Sequence, residues 1–232
     1  KFNFLINKLN HLAIILDGNK RWSVENNKKI FEGYEAGFDK IFEVAQWCIQ
    51  SNIKYLTIFT LSSENIKRDN INILLNLIDD KNLNFQKIIN NREIKMKFIG
   101  NINALKPRIK KLFTNIETKT KNNKKLNVNV AFNYGLQYEL FMFISKINSK
   151  NISTFKKNIL NNLYKKKLLL GSIPDPDLMI RTGGFKRLSN FLQLYISYTE
   201  FFFTNTLWPN FSKTEFNKII TYFKKIKRNH GL

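Results

Sequence analysis

Four short stretches of this sequence hold side chains that could do chemistry together. Asp17-Gly18-Asn19-Lys20-Arg21-Trp22 follows an apolar run. Gly18 lets the backbone approach a ligand, the N–H groups opening a following helix face an anion, and Arg21 can add a bidentate grip. Asp17 puts a carboxylate where that anion would bind. Mg²⁺ between the carboxylate and diphosphate oxygens would resolve the conflict; the alternative is that Asp17 only caps the helix. Ser62-Ser63-Glu64-Asn65-Ile66-Lys67-Arg68 pairs hydroxyl and amide donors, Ser62 and Asn65, with a guanidinium, although an ordinary polar turn would read the same way. Arg181-Thr182-Gly183-Gly184, followed by Arg187-Leu188-Ser189, puts two Arg and a Ser within nine residues, hinged by paired glycines. That is a second anion cradle. Glu200 is a lone carboxylate beside Tyr198 and Phe201–Phe203, either part of a metal site or buried pair, or a rim residue. Two anion sites, one metal and an aromatic content of 14% point to two diphosphate substrates with apolar tails. Core packing accounts for most of the 21 Phe.

Arginine is scarce, which sharpens this reading. The chain has 7 Arg against 32 Lys, and 33 Asn. In a sequence that nearly always writes Lys, each Arg is a candidate for the planar, two-pronged grip that Lys cannot make. Four of the seven, Arg21, Arg68, Arg181 and Arg187, fall in the stretches above. The net charge of +22 first suggests nucleic acid. The lysines are scattered rather than gathered in one stripe, and the Lys, Asn and Ile excess fits AT-rich coding. The charge still concentrates anionic substrates and favours anionic membranes.

Other chemistries are excluded. The sequence has no Walker A loop, no GxGxxG and no GxSxG elbow. His11 and His230 lack zinc-type companions, and Asp79-Asp80 is not the DDxxD pattern of trans-prenyltransferases. Cys48 is unpaired, so no disulfide framework exists and a reducing compartment is expected. No apolar run approaches the length of a membrane span. The chain starts at Lys1, so a targeting segment could have preceded it.

The elements that must position these residues alternate. Strands are expected at His11–Asp17, Tyr55–Leu61, Ile94–Ile99, Leu126–Phe132, Asp177–Arg181 and Phe191–Tyr198. Helical patterns follow Asn19, strongest over Tyr34–Gln50, and run Ile71–Ile89, Ala104–Thr118 and Lys213–Arg228, with helical segments after Gly135 broken around Asn148–Thr154. One crossover helix per strand argues a single α/β domain over residues 1–232, its central, mostly parallel sheet covered on both faces. Ligands of such sheets bind beyond the carboxyl ends of the strands. The Asp17, Ser62 and Arg181 stretches all fall there.

The motifs resemble the cis-prenyltransferase family, which includes undecaprenyl and dehydrodolichyl diphosphate synthases. The likeness lies in His11–Trp22, in Leu56–Arg68, and in Asp177–Phe191 continuing to Tyr198-Thr199-Glu200 and Leu207–Phe211. It implies repeated addition of isopentenyl diphosphate to an allylic diphosphate such as farnesyl diphosphate, giving a Z-polyprenyl chain housed in an apolar tunnel. It implies Mg²⁺ held by Asp17 and Glu200. Gly18, Asn19, Lys20 and Arg21 would cradle the allylic diphosphate and Trp22 would line its tail. Asn65 with Ser62 would assist proton loss. Ser63, Glu64 and Arg68 would serve substrate binding, Arg68 on diphosphate. Arg181, Arg187, Leu188 and Ser189 would hold isopentenyl diphosphate.

The family also implies a homodimer or a heterodimer with a related subunit. It implies a cytoplasmic enzyme meeting a membrane peripherally, at the endoplasmic reticulum if eukaryotic, and a product for a dolichol- or undecaprenol-type carrier lipid. A non-catalytic scaffold subunit of such a heterodimer is the alternative. The sequence departs from the family at five places, one of them Ile66, which stands where an aromatic is common. Ile30 stands for an Arg, Tyr34 for a His in the Gly33–Gly37 element, and Phe185 where Glu is common. Arg228-Asn229-His230-Gly231 is one residue longer than the family's Arg-x-Gly.

Overall fold

The protein is described from a computed structural model, which covers residues 7–67, 75–76, 89–146, 156 and 163–228. Six parallel strands form one sheet in the order β3-β4-β2-β1-β5-β6. They are β1 (His11–Ile15), β2 (Tyr55–Ser62), β3 (Ile94–Ile99), β4 (Leu126–Tyr134), β5 (Leu178–Arg181) and β6 (Glu200–Phe203). The described helices are α1 (Asn19–Glu25), α2 (Ile30–Gln50), α3 (Pro107–Thr120), α4 (Leu136–Ser145) and α5 (Lys213–Lys225). The helix expected over Ile71–Ile89 and the break around Asn148–Thr154 lie mostly or wholly outside the described residues, as do Asp79-Asp80, His230 and Arg68.

Parallel strands buried on both faces read as continuous apolar runs, and His11–Ile15 is buried at every position. Alternate side chains serve two cores. Ile14, Ile58, Val128 and Val130 face α2 and α3, while Ala13, Phe59, Ala131 and Met179 face α4 and the segment after β5. Cys48 is buried in the first core, where burial pushes its thiol pKa up.

Helices α1 and α2 touch because Gly33 and Gly37, one turn apart on α2, carry no side chain. A Cβ on Gly33 would lie 2.4 Å from the Asn19 carbonyl oxygen, and one on Gly37 2.1 Å from Asn19 Oδ1. At the opposite end of the sheet a polar rung is buried. His11 Nε2 lies 2.7 Å from Thr57 Oγ1, Asn129 Nδ2 donates to the same hydroxyl at 3.0 Å, and His11 Nδ1 lies 2.6 Å from the Pro174 carbonyl. Burial lowers the His11 pKa to about 4.

One expected strand is corrected. Residues 191–198 form compact turns, not a strand: Leu192 takes φ +51°, and Phe191, Leu192 and Tyr195 fold into the second core. Tyr195 and Tyr134 both donate to the buried carboxylate of Glu139. The sixth strand lies later, at Glu200–Phe203.

Candidate active site

The carboxyl ends of β1 and β5 are adjacent, and the polar residues following them meet. Asp17 stands two residues past β1. Its N–H donates to Thr182 Oγ1 at 3.1 Å, Thr182 Oγ1 donates back to the Asp17 carbonyl at 2.8 Å, and that carbonyl also accepts from Trp208 N at 3.0 Å. Thr182 therefore fixes the backbone beneath the carboxylate, a role that only the fold exposes.

The two Asp17 oxygens are shared between guanidiniums. Arg21 Nη2 donates to Oδ1 at 3.1 Å and Arg181 Nη2 to Oδ2 at 2.8 Å. Arg21 also donates to the Gly183 carbonyl at 2.7 Å. Gly183 takes φ +82°, which favours glycine, and a Cβ there would displace Arg21 Nη2, 2.4 Å away, from its place. Arg181 Nη1 donates to Ser189 Oγ at 3.0 Å and to the Arg187 carbonyl. The expected partners Arg187 and Ser189 thus meet Arg181, which alone of the three reaches Asp17. The two anion cradles of the sequence are joined through Asp17, which Arg21 and Arg181 share. Leu188 backs it, packed against the second core.

Gly18, at φ +119°, turns the chain into α1. The next N–H groups have no intrahelical acceptor, since the helix bonds begin with Trp22 N on the Gly18 carbonyl at 2.8 Å. Asn19 Oδ1 and Arg181 Nε are buried without a hydrogen-bond partner among the described residues. The Arg181 Nε–H is a donor left for an oxygen-rich ligand, whereas Asn19 Oδ1 can only accept and would need a donor. Lys20 is exposed on the same turn.

The second loop joins from β2. Asn65 N donates to Ser62 Oγ at 3.1 Å, and Ser63 N to the Tyr134 carbonyl at 2.9 Å. Asn190 Nδ2 donates to Glu64 Oε1 at 2.7 Å, tying this loop to the Arg187 loop. Partial burial raises the Glu64 pKa, but hydrogen bonds from Asn190, its own backbone, Ser62 and Ser63 outweigh it and hold the group below the usual value.

Behind the cradle runs an apolar pocket with a cavity of about 90 Å³, between the sheet and α2. Leu16 and Asn19 stand at the cradle side; Tyr34, Phe38, Phe42, Thr60 and Met96 are among the walls. Trp22, expected beside the tail, does not line this pocket; its indole N–H donates to Asn210 Oδ1 at 2.8 Å.

Glu200 is also displaced from expectation. It pairs in register with Leu178, which pairs with Leu12, so it sits at the amino end of the strands. At ~3.3 Å per residue that is roughly 16 Å along the strands from Asp17. Within one chain the two carboxylates do not share a metal. Glu200 instead faces Arg228, 3.9 Å away, whose Nη1 donates to Asp177 at 3.1 Å. Among the described residues no three His, Cys, Asp or Glu cluster as metal ligands.

A parallel sheet whose strand ends present guanidiniums around one carboxylate, beside an apolar pocket, is built to hold an anionic group that carries an apolar tail. The chain matches the undecaprenyl diphosphate synthase family of prenyltransferases over residues 15–231, and it belongs to that family. An isoprenyl transferase of Rickettsia typhi is 37% identical over 225 residues, covering 96% of this chain and 98% of the relative. Among solved structures, lavandulyl diphosphate synthase from Lavandula x intermedia, in complex with dimethylallyl diphosphate, has a TM-score of 0.88 and 26% identity, covering 97% of this chain and 98% of that one. A probable undecaprenyl diphosphate synthase from Campylobacter jejuni has a TM-score of 0.75 and 29% identity, covering 97% and 100%.

Proposed function

We propose that this isoprenyl transferase condenses isopentenyl diphosphate repeatedly onto an allylic diphosphate, farnesyl diphosphate being the expected primer, to make a Z-polyprenyl diphosphate for a carrier lipid of the undecaprenol type. One observation carries this reading: the guanidinium cradle around Asp17 stands beside a pocket whose walls, from Leu16 and Asn19 to Phe38, Phe42 and Met96, are almost entirely apolar, the chemistry a prenyl tail requires. The bacterial relatives favour the undecaprenol type over dolichol.

In this reading the N–H groups after Gly18, with Asn19, Lys20 and Arg21, hold the allylic diphosphate. Arg181, Arg187 and Ser189 hold the isopentenyl diphosphate beside it, with Arg68 as a further diphosphate ligand. Negative charge builds on the departing diphosphate, and preorganised guanidiniums stabilise it without reorganising. Asn65, capped by Ser62, helps remove the proton from the isopentenyl unit. Asp17 fits Mg²⁺, because that ion is commonly held by one or two carboxylates plus substrate phosphates. When bound, it would neutralise diphosphate charge. Glu200 does not reach that position from its own chain.

The enzyme acts as a dimer, homomeric or with a related subunit. The outer edge of β6, unpaired among the described residues, with Phe201 and Tyr198 exposed, supports an apolar partner surface there. No helix among the described residues is long and apolar enough to cross a membrane; product release calls for peripheral contact with one.

Mg²⁺-dependent incorporation of radiolabelled isopentenyl diphosphate into farnesyl-primed product tests the reading. Product of many isoprene units supports it. A folded chain that incorporates label only when mixed with a related subunit would be the scaffold instead, although Asp17, Arg21, Arg181 and Arg187 argue against that role.

A further inference from the structure

Three guanidiniums meet over one aromatic ring. The Cζ atoms of Arg187, Arg21 and Arg181 lie 4.1, 5.0 and 5.7 Å from the centroid of Phe185. The ring belongs to neither apolar core and is 42% exposed. Its place is nevertheless fixed by the backbone before it. Gly183 and Gly184 both take φ +82°, and their N–H groups donate to the carbonyls of Thr206 and Thr204, each at 2.8 Å.

The charges make this ring consequential. Arg21, Arg181 and Arg187 carry three formal positive charges, and Asp17 returns one negative charge. Guanidiniums this close repel one another. A carboxylate at position 185 would relieve the repulsion by neutralising one of them. A π face attracts all three through its quadrupole and cancels none of their charge.

We propose that Phe185 is a positioning residue that keeps the three guanidiniums converged while leaving the cradle's net charge intact. The ligand class is the diphosphate group, free or prenylated, and the inference rests on the diphosphate reading of the cradle. The expected consequence is a grip on pyrophosphate that is strong at low salt and falls steeply as ions screen an exposed site.

The test is calorimetric titration of the full chain with pyrophosphate at about 0.05 and 0.3 M salt, alongside KM and kcat for turnover. Phe185→Leu should weaken pyrophosphate binding about tenfold, while the ratio of affinities at the two salts stays as in wild type, because no charge has changed. Phe185→Tyr, which keeps the ring face, should bind within about twofold of wild type. Phe185→Glu should both weaken binding and flatten the salt dependence. Wild-type affinity in Phe185→Leu would overturn the proposal, as would Phe185→Tyr falling as far as Phe185→Leu. If Phe185→Leu fails to fold, Phe185→Glu still decides: an unchanged salt dependence there overturns the proposal. Failure of the wild-type chain itself to bind pyrophosphate would overturn the diphosphate reading instead.

Discussion

Arg181 donates to Asp17 at 2.8 Å across 164 residues of chain, from a side chain only 4% exposed. Arg21, on the other oxygen, is 43% exposed. The carboxylate therefore has one buried, immobile cation and one that can turn toward a ligand. This asymmetry suits a group that must hold its position while its surroundings exchange substrate for product.

Asp17→Ala removes the centre of that arrangement. Turnover should fall by at least ~10²-fold, the range seen when a preorganised electrostatic contact is lost. Circular dichroism should show the fold retained, since Thr182 and Trp208 still hold the backbone. Activity above about a tenth of wild type at saturating Mg²⁺ would end the metal role assigned to Asp17.

Arg187→Lys keeps the charge but loses the planar fork. The KM for isopentenyl diphosphate should rise roughly tenfold, from ~1.4 kcal/mol of lost charge-assisted bonding, with a smaller effect on the allylic KM. Initial-rate kinetics with each substrate varied in turn separates the two. Equal rises would mean that Arg187 serves both pockets.

Gly33→Ala should destabilise the protein without touching the cradle's charges. The new Cβ meets backbone, the Asn19 carbonyl, which cannot swing away as a side chain could. Overpacking of this kind costs roughly 1–3 kcal/mol, or about 2–12 °C in Tm for a chain of this size. An unchanged melting curve would show that α1 and α2 can separate freely.

His11 makes stability depend on pH. Its folded pKa is lowered to about 4 by burial, against an ordinary 6.5. The unfolded chain takes up a proton below pH 6.5 that the folded chain refuses. This contribution is fully present above that pH, falls as the pH drops toward about 4, and then levels. At ~1.36 kcal/mol per unit, the loss approaches roughly 3 kcal/mol. Urea midpoints of wild type and His11→Gln should converge across that window as the pH falls; parallel curves would exclude His11 as the cause.

Ile30→Arg with Tyr34→His restores the family pattern, and the structure separates the two changes. Ile30 is the first residue of α2, only partly buried, so an Arg can be accommodated although it faces the positive end of the helix. Tyr34 lines the apolar pocket. The single Ile30→Arg change should lower the allylic KM by up to about tenfold, an effect that fades with added salt. An unchanged KM would assign the phosphate contact elsewhere, to Lys28 or Lys29.

The parallel sheet was legible because its strands are buried on both faces. Ile94–Ile99 matches its expected bounds, and β1, β2, β4 and β5 differ by two residues or fewer. The misread strand at residues 191–198 has the right composition, but Ser189, Asn190 and Leu192 in left-handed conformations break it. Scarce arginine pointed to Arg21, Arg181 and Arg187. It could not show that Asp17 sits between two of them, because that depends on β1 and β5 being neighbours. Thr182 and the Glu64–Asn190 bond left no local signature, and Phe185 showed only as a departure from the family pattern. Gly33 and Gly37 stood in the sequence only as part of the family element; that they let α1 and α2 touch is a finding of the fold. Glu200 was misplaced because its strand starts, rather than ends, at that residue.

The strand order has a consequence for the chain as it is synthesised. β1 is made first, yet it lies between β2 and β5, and β5 emerges more than 160 residues later. Until then the completed β3-β4-β2-β1 part of the sheet has Leu12 and Ile14 on an uncovered edge, a template for pairing with another nascent chain. Long-range parallel pairing is slow to form. A polypeptide that terminates before β5 therefore carries Asp17 without Arg181 and an apolar edge without its cover, so incomplete products are at once inert and prone to aggregate.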